Sequence, residues 1–266
     1  MPAIRLDILA TQIEQLNQMF NQPDVFVRKL HDILSFYADH TFRPGEISKV
    51  KPIIQSYNVP RPVMRQIVQS ISGKALGVPR LTLTLCDVLW NEQTLEFQLL
   101  AIDLIGQISP FPSDPIMDRI RTWAETCKDD SVLTAILNIG ISKIRLNFPD
   151  QYFKIISEFI NDPKYQNQRI GIKAIHPLLM DKTFNNYPAI FQILTNVVRD
   201  IPIELMQELL DLIEKLANRS PSETIYFLNH ALKTRLSPRT NLLVRKAIIF
   251  FPIQYQGILR ENINED

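Results

Sequence analysis

Prolines recur along this chain at an interval that suits a helical repeat. Six of them lie roughly 35 residues apart, close to the length of a repeat built from two helices. They are Pro44, Pro79, Pro115, Pro149, Pro188 and Pro221. The chain has 18 prolines but only 7 glycines. Because prolines suit the first turn of a helix and tight β-hairpins need glycines, this pattern predicts stacked helical hairpins rather than a β-rich fold.

Apolar residues recur at helical spacing through most of the chain, as at Leu95, Leu99, Ile102 and Ile105. Residues 81–90 alternate briefly between apolar and polar, and we interpret them as a helix, with a strand as the alternative. The predicted helix pairs are 80–91 with 93–108, 114–127 with 131–147, 149–161 with 165–180, 184–199 with 201–219, and 221–236 with 239–251.

These pairs predict an all-α helical-repeat solenoid, because each hairpin buries its apolar face only against its neighbours. The alternative is a compact helical bundle in which the proline spacing is coincidental. No Gly/Ser-rich segment divides the chain, so we predict a single domain over residues 1–266, with an acidic, frayed tail at about 261–266.

Serine residues mark three of the predicted helix starts. Ser113, Ser220 and Ser237 each precede a proline by one or two residues, as N-caps do. Ser220 is also followed three residues later by Glu223. This spacing predicts a capping box, in which each side chain binds a backbone amide at the helix start.

Most catalytic and metal-binding motifs are missing from the sequence. It has no nucleotide-binding glycine loop, no zinc motif and no serine-hydrolase elbow, so we expect no cofactor and no metal. His176, beside Pro177, is expected to be a hydrogen-bonded structural histidine. Glu96 and Asp103 share one helix face. They form either an acid–base pair or, more simply, polar or inter-helix hydrogen-bonding positions.

Cysteine usage and hydropathy predict a cytoplasmic location. Cys86 lies among apolar residues and is expected to be buried, while Cys127 has polar neighbours and is expected to be partly exposed. The first residues lack the basic-then-apolar pattern of a secretory leader. No stretch reaches the ~18 apolar residues that a membrane span needs, so no membrane partner is expected.

Charge is segregated along the chain although the formal net charge is only +1. Residues 47–86 contain six Lys or Arg and no acid, and so do residues 224–260. The rest of the chain has 17 basic against 28 acidic residues. Two basic segments therefore flank an acidic middle, which either allows a solenoid to grip a polyanion or reflects like charges on solvated faces.

Several segments, in order along the chain, are similar to one known family. These segments are 58–60 with 63–67, 89–90 with 96–104, 120–140, 168–173 and 244–248. They resemble the AlkD-like DNA alkylation repair proteins of the HEAT-like repeat DNA glycosylase superfamily. The resemblance implies a HEAT-like solenoid with a concave DNA-binding face. The family's best-known members excise N3- and N7-alkylated purines without a base-flipping pocket.

The resemblance breaks at the family's catalytic motif. Active members carry Trp-Asp-x-x-Asp, and the corresponding stretch here places Asp129 at the tryptophan position and Leu133 at the catalytic aspartate position. Asp129 or Asp130 either takes the role of the catalytic aspartate after a small shift in position or caps a helix before Ser131. We favour the capping role. The next basic position of the family matches Arg169 or Gln168, and the later aromatic position lies near Phe250.

Charge and resemblance together predict a DNA-binding HEAT-like repeat protein, with base-excision activity lost or altered. The residues predicted to contact phosphates of double-stranded DNA are Arg169, Lys173, Arg239, Arg245 and Lys246. Whether the chain is an enzyme is left open; if active, it is a DNA N-glycosylase acting on alkylated purines. The alternative is a non-enzymatic scaffold that binds a protein partner.

Overall fold

The computed structural model of the chain describes residues 5–39, 53–110, 114–235 and 237–264. Within these ranges the regular structure is helical, and the one β-type pairing is an isolated bridge between Gln55 and Thr94. The prediction of an all-α helical-repeat fold is therefore confirmed. None of the described helices is long and apolar enough to cross a bilayer.

The chain divides into two compact units, Met1–Asn147 and Phe148–Asp266. Whether they form the single domain expected from the sequence stays a prediction. The first unit contains α1 (Leu6–Gln18), α2 (Pro23–Tyr37), α3 (Arg61–Gly77), α4 (Pro79–Asn91), α5 (Leu95–Gln107), α6 (Asp114–Thr126), α7 (Asp130–Ala135) and α8 (Ser142–Asn147).

Helices of the first unit pack in two rows. One row is formed by α1, α3, α5 and α7, each packed against the next. The other row is formed by α2, α4 and α6. Between α4 and α6, the Trp90 and Trp123 rings stack with centroids 4.5 Å apart. Arg119 on α6 also donates two hydrogen bonds of 2.7 Å to the Asp87 carboxylate on α4.

The second unit repeats this two-row arrangement. It contains α9 (Pro149–Ile160), α10 (Tyr165–Met180), α11 (Tyr187–Arg199), α12 (Met206–Arg219), α13 (Pro221–Lys233), α14 (Pro238–Ala247) and α15 (Ile253–Asn264). Helices α10, α12 and α14 form one row, and α9, α11, α13 and α15 form the other. Short 3-10 turns at Ile203–Leu205 and Ile248–Phe250 precede α12 and follow α14.

Proline marks helix starts as the sequence predicts. Pro79, Pro149 and Pro221 each occupy the first position of a helix. Residues 81–90 lie in α4 and are helical, as we interpreted them.

The predicted helix 131–147 is not continuous, because a π-helix interrupts it at Ile136–Gly140. The amide of Ile141 donates to the carbonyl of Ile136 at 3.1 Å, five residues earlier. This widened turn brings the Ile139 carbonyl so close to α5 that a Cβ at Gly106 would lie 2.7 Å from its oxygen. Arg145 Nη1 donates to the Leu137 carbonyl at 3.0 Å, so the irregular backbone has a side-chain partner.

The serine caps behave differently from one another. Ser237 accepts a hydrogen bond from the Arg239 amide at 3.3 Å, as predicted. The capping box at Ser220 is wrong, because its hydroxyl donates to the Glu223 carboxylate instead of binding a backbone amide. Ser113 lies outside the described residues.

The C-terminal segment differs from the frayed tail that we expected. Helix α15 continues through Asn264, so only the last two of the six tail residues lie outside the described helix. The reason is apolar burial: Leu259 and Ile263 are 0% and 4% exposed. The apolar pattern did not indicate α15, because Gln254, Gln256 and Gly257 interrupt it.

Candidate nucleic-acid interface

One row of helices in the second unit carries all five predicted DNA-contacting residues. Arg169 and Lys173 lie on α10, and Arg239, Arg245 and Lys246 lie on α14. Helix α12 packs between these two helices. The structure therefore places the five residues on the two helices that flank α12.

On α10, the first of these residues is already paired with an acid. Arg169 Nε donates to Glu208 Oε1 on α12 at 2.5 Å. The side chain of Arg169 is 38% exposed and that of Glu208 is 18% exposed. The positive charge that the sequence offers to DNA is thus largely compensated within the row. Lys173, one turn further along α10, is half-buried.

The same seam between α10 and α12 contains His176. Burial, together with the nearby charges of Lys215 and Lys173, lowers its pKa to about 4. The imidazole is therefore neutral at neutral pH, and Lys215 Nζ donates to its Nδ1. The prediction of a hydrogen-bonded histidine is confirmed. Lys215 thereby directs its charge toward α10.

On α14, the three basic residues have different surroundings. Arg239 Nη1 donates to the backbone carbonyl of Ile201 at 2.9 Å, which ties the start of α14 to the segment between α11 and α12. Arg245 and Lys246 are exposed in the last turn of the helix. Within the described residues no hydrogen bond or ion pair uses the side chain of either one. Arg239 is exposed as well, so Arg245 and Lys246 differ from it in having no partner within the described residues rather than in exposure.

Helix α12 places negative charge between the two basic helices. Glu208 is engaged by Arg169, whereas Asp211 and Glu214 are exposed. Asp211 also lies close enough to His176 to influence its pKa. The row therefore alternates in charge from basic α10 through acidic α12 to basic α14, a pattern that favours phosphates over its two edges and repels them from its middle.

In the first unit, Asp129 has the capping role that we favoured. Its carboxylate accepts hydrogen bonds from the Ser131 amide at 2.9 Å and from the Ile53 amide at 2.7 Å. The side chain caps the first turn of α7. Burial raises the pKa of Asp129, but the hydrogen bonds from Ser131 and Ile53 outweigh it and hold the pKa below its usual value.

A buried apolar side chain occupies the position that the resemblance aligns with the family's catalytic aspartate. Leu133 is 5% exposed, within the core around α7. Gln168 Nε2 donates to the Asp162 carbonyl at 2.9 Å, and Phe250 is half-buried in the turn after α14. Neither Leu133 nor Phe250 carries a charged group.

A family model described as "DNA alkylation repair enzyme" matches residues 50–208, more than half of the chain. The chain belongs to the DNA alkylation repair enzyme family. Membership supports a function related to DNA repair. The match includes Arg169, Lys173 and residues 129–133 but ends before α14, so Arg239, Arg245 and Lys246 lie outside it. No curated protein and no solved structure matches the chain.

Glu96 takes the structural role among the alternatives left open by the sequence. It is 5% exposed, and its carboxylate accepts from the Ser56 hydroxyl at 2.8 Å, from the Tyr57 amide at 3.1 Å and from the Val59 amide at 3.4 Å. Asp103, on the same helix, is half-buried, and burial raises its pKa. Over the described ranges no three His, Cys, Asp or Glu side chains come together as metal ligands.

Both cysteines lie where the sequence predicts. Cys86 is buried and Cys127 is partly exposed. Burial raises the pKa of each thiol, so neither is a ready nucleophile at neutral pH.

Sequence reasoning missed a contact between His31, Tyr57 and Glu92. His31 lies 26 residues before Tyr57 and 61 before Glu92. They come from α2, from the segment before α3 and from the end of α4. No local spacing connects them, because the contact depends on how these three segments pack.

Proposed function

We propose that this chain is a DNA-binding member of its family that holds duplex DNA through phosphate contacts, with base excision lost or altered. The observation that carries the proposal is the exposed pair Arg245 and Lys246, unpaired among the described residues, at the end of α14. Arg239 on the same helix, and Arg169 with Lys173 on α10, contribute further cations in one row. Family membership supplies the expectation that the polyanion is DNA.

Contacts of this kind position a duplex without reading its sequence. Lysine and arginine side chains that meet phosphates release condensed counterions, so affinity depends on salt but little on sequence. The acids on α12 limit the contact to the edges of the row. We therefore expect moderate affinity rather than the tight binding of a strongly basic protein.

The same geometry argues against the family's usual base-excision chemistry. A positive centre that develops on deoxyribose is stabilised by a carboxylate, and Leu133 at the equivalent position is buried and uncharged. The nearest substitute, Asp129, already accepts hydrogen bonds from Ser131 and Ile53. It would have to give up these bonds to act on a substrate.

Binding of a fluorescent 20-base-pair duplex to the full chain tests the proposal. We expect sequence-independent binding whose logarithm falls linearly with the logarithm of salt concentration. Three to five phosphate contacts give a slope of about −3 to −4.5. Absence of binding at low salt, or binding without a salt slope, would contradict DNA recognition.

Base release is measured separately on a duplex that contains 7-methylguanine. We expect no release above the spontaneous rate. If release occurs, the double substitution Asp129→Asn with Asp130→Asn distinguishes a shifted catalytic carboxylate, which would lose activity, from a mechanism elsewhere in the chain. Release would overturn lost excision but not DNA binding.

A second candidate function, a protein-binding scaffold, is favoured by two observations. The exposed acids on α12 disfavour a phosphate backbone at the middle of the row. An open groove of about 450 Å³ lies between α9 and α11, lined by residues such as Phe153, Ile193 and Asn196. Absence of duplex binding at low salt would favour the protein-binding scaffold over the DNA-binding function. The cytoplasmic location stays a prediction under either function.

Glu208→Gln is expected to increase the affinity for duplex DNA, whereas removal of a basic residue is expected to decrease it. Loss of the carboxylate removes a negative charge and releases Arg169 from its 2.5 Å ion pair. If one more phosphate contact forms, duplex affinity at 0.1 M salt rises by up to roughly eight-fold and the salt slope steepens by about 0.9. The matched control is Asp150→Asn on α9, an exposed acid in the other row. Equal gains from both variants would point to net charge rather than to Arg169.

A further inference from the structure

Three polar side chains in the first unit form a continuous hydrogen-bonded chain. The Tyr57 hydroxyl lies 2.5 Å from His31 Nδ1, and His31 Nε2 lies 2.8 Å from Glu92 Oε2. A carboxylate only accepts hydrogen bonds, so Nε2 donates to Glu92, and in the neutral imidazole this leaves Nδ1 as an acceptor. In that tautomer the Tyr57 hydroxyl is the donor to His31. The order of the groups is hydroxyl, imidazole base and orienting carboxylate.

The arrangement is accessible as well as ordered. The side chains of His31 and Glu92 are 35% and 31% exposed. The imidazole also packs on the buried ring of Phe97, with centroids 4.4 Å apart. One face of the His31 ring is thus fixed by the core, while solvent reaches the edge of the cluster. Tyr57 itself is half-buried.

The segment that carries Tyr57 is held from several directions. The buried Glu96 carboxylate accepts from the Ser56 hydroxyl and from the Tyr57 amide. The Gln55 carbonyl accepts from the Leu95 amide at 2.9 Å. These bonds fix the backbone beside Tyr57, so its hydroxyl is presented to His31 by a supported segment.

Backbone strain occurs next to two members of the cluster. Asn58 follows Tyr57 with a φ of 54°, and Gln93 follows Glu92 with a φ of 51°. Among the described non-glycine residues, these are the two with positive φ. Such conformations cost about 1 kcal/mol or more each and persist where the surrounding structure enforces them, often at functional sites.

We propose that Tyr57, His31 and Glu92 form a nucleophilic site in which Tyr57 accepts an acyl group from an activated ester. The Tyr57 oxygen attacks the carbonyl carbon while its proton passes to His31 Nδ1, and Glu92 stabilises the resulting imidazolium. The ester C–O bond then breaks, and the departing oxygen takes the proton from His31. The products are an acyl ester of Tyr57 and the free alcohol or phenol.

Charge selects an uncharged carbonyl over a phosphoryl group as the electrophile. Glu92 and Glu96 are the acids in contact with this cluster, and no Lys or Arg hydrogen-bonds to its three members among the described residues. Phosphoryl transfer needs cations around the transferring oxygens. The site is thus separate in chemistry from the phosphate contacts proposed for α14.

The test uses p-nitrophenyl acetate as the acyl donor and the full chain as the protein. Acetylation of individual tyrosines is followed by peptide mass spectrometry over time. Tyr226, which is 77% exposed, is the internal control because access alone would make it the faster of the two. We expect Tyr57 to be acetylated roughly 100-fold faster than Tyr226, the size of a general-base effect.

Two variants then assign the roles. His31→Gln keeps a hydrogen-bond acceptor but no base, and we expect the Tyr57 rate to fall to or below that of Tyr226. Glu92→Gln removes the orienting charge and should lower the Tyr57 rate by about ten-fold or more. In both, the thermal midpoint reports whether the fold is intact, and the Tyr226 rate reports the intrinsic reactivity of the ester with an exposed tyrosine.

The ratio of the Tyr57 to the Tyr226 acetylation rate in the wild-type protein tests the proposal even if a variant fails to fold. A Tyr57 rate equal to or below the Tyr226 rate would overturn it and leave the cluster as a structural tie between three segments. So would an unchanged Tyr57 rate in a folded His31→Gln variant. Labelling with a phosphoryl donor but not with the ester would overturn the assigned substrate class.

Discussion

Replacing both Arg245 and Lys246 with glutamine is expected to weaken duplex binding roughly 50-fold at 0.1 M salt. Each phosphate contact contributes about 0.9 to the slope of log affinity against log salt, so losing two flattens the slope by nearly 2. The effect is large because these cations are exposed and unpaired within the described chain, so their loss is not offset by releasing an acid. Anisotropy titrations at four salt concentrations measure affinity and slope together.

The control for this experiment removes two positive charges that lie outside the row formed by α10, α12 and α14. Lys154 on α9 and Lys233 on α13 are exposed, and both helices belong to the other row of the same unit. Lys233 also lies in the acid-free segment, so its replacement tests sequence composition against position in the fold. Converting both to glutamine should leave the slope within about 0.5 of its original value if they meet no phosphate. Equal losses from the two pairs would contradict an interface on the α10–α12–α14 row.

Much of the fold could be predicted because helix starts and helical spacing depend on residues that are close together in sequence. Proline at the first helical position and apolar residues at helical spacing act within one or two turns. Helix α9 begins at the predicted residue, and α4 begins one residue before the predicted start. The π-helix at Ile136–Gly140 could not be predicted, since it depends on the close approach of its backbone to Gly106 on α5. Helix α15 was missed because its apolar pattern is weak, although Leu259 and Ile263 bury it.

The sequence is a weaker guide to the candidate site, because residues far apart in sequence can pair their charges once the chain folds. The basic pair Arg169 and Lys173 looks available when only α10 is considered. Its ion pair with Glu208 comes from a residue 39 positions away. Arg245 and Lys246 remain exposed in the fold, and the segment around them, residues 224–260, has no acid to pair with.

Family membership and local structure bear on different parts of the proposal. The matched range contains the catalytic positions, where Leu133 is buried and Asp129 caps a helix. The most accessible cations lie beyond the matched range, on α14. The proposed loss of excision and the proposed DNA binding are therefore separable, and measurements of base release and of binding test them independently.

Gly171→Ala is expected to destabilise the second unit by about 2–3 kcal/mol, the cost of forcing extra atoms into a packed core. Gly171 lies on α10 where that helix packs against the end of α9. A Cβ there would lie 2.5 Å from Ile160 Cγ1 and 2.9 Å from the backbone nitrogen of Ile160. The side-chain atom can rotate away, but the backbone atom moves only if the two helices separate.

The matched control is a second helical glycine, at which substitution by alanine is expected to increase stability instead of decreasing it. Gly73 lies within α3, is exposed, and has no atom within 4 Å of the position that a Cβ would take. Gly73→Ala should stabilise the protein by about 0.5–1 kcal/mol, because alanine loses less backbone entropy in a helix. Sequence alone treats these two glycines alike, so the sign difference isolates helix packing from helix propensity.

Urea and thermal unfolding, both followed by circular dichroism, measure the free energy of unfolding and the thermal midpoint of the two variants against the wild type. A loss of about 2–3 kcal/mol from Gly171→Ala lowers the thermal midpoint by roughly 5–10 °C. It should also disturb the Arg169–Glu208 pair, since Arg169 lies two residues away on α10. A stabilised Gly171→Ala variant would mean that helix propensity outweighs the contact with Ile160, and would contradict the close packing of α9 on α10 at this position.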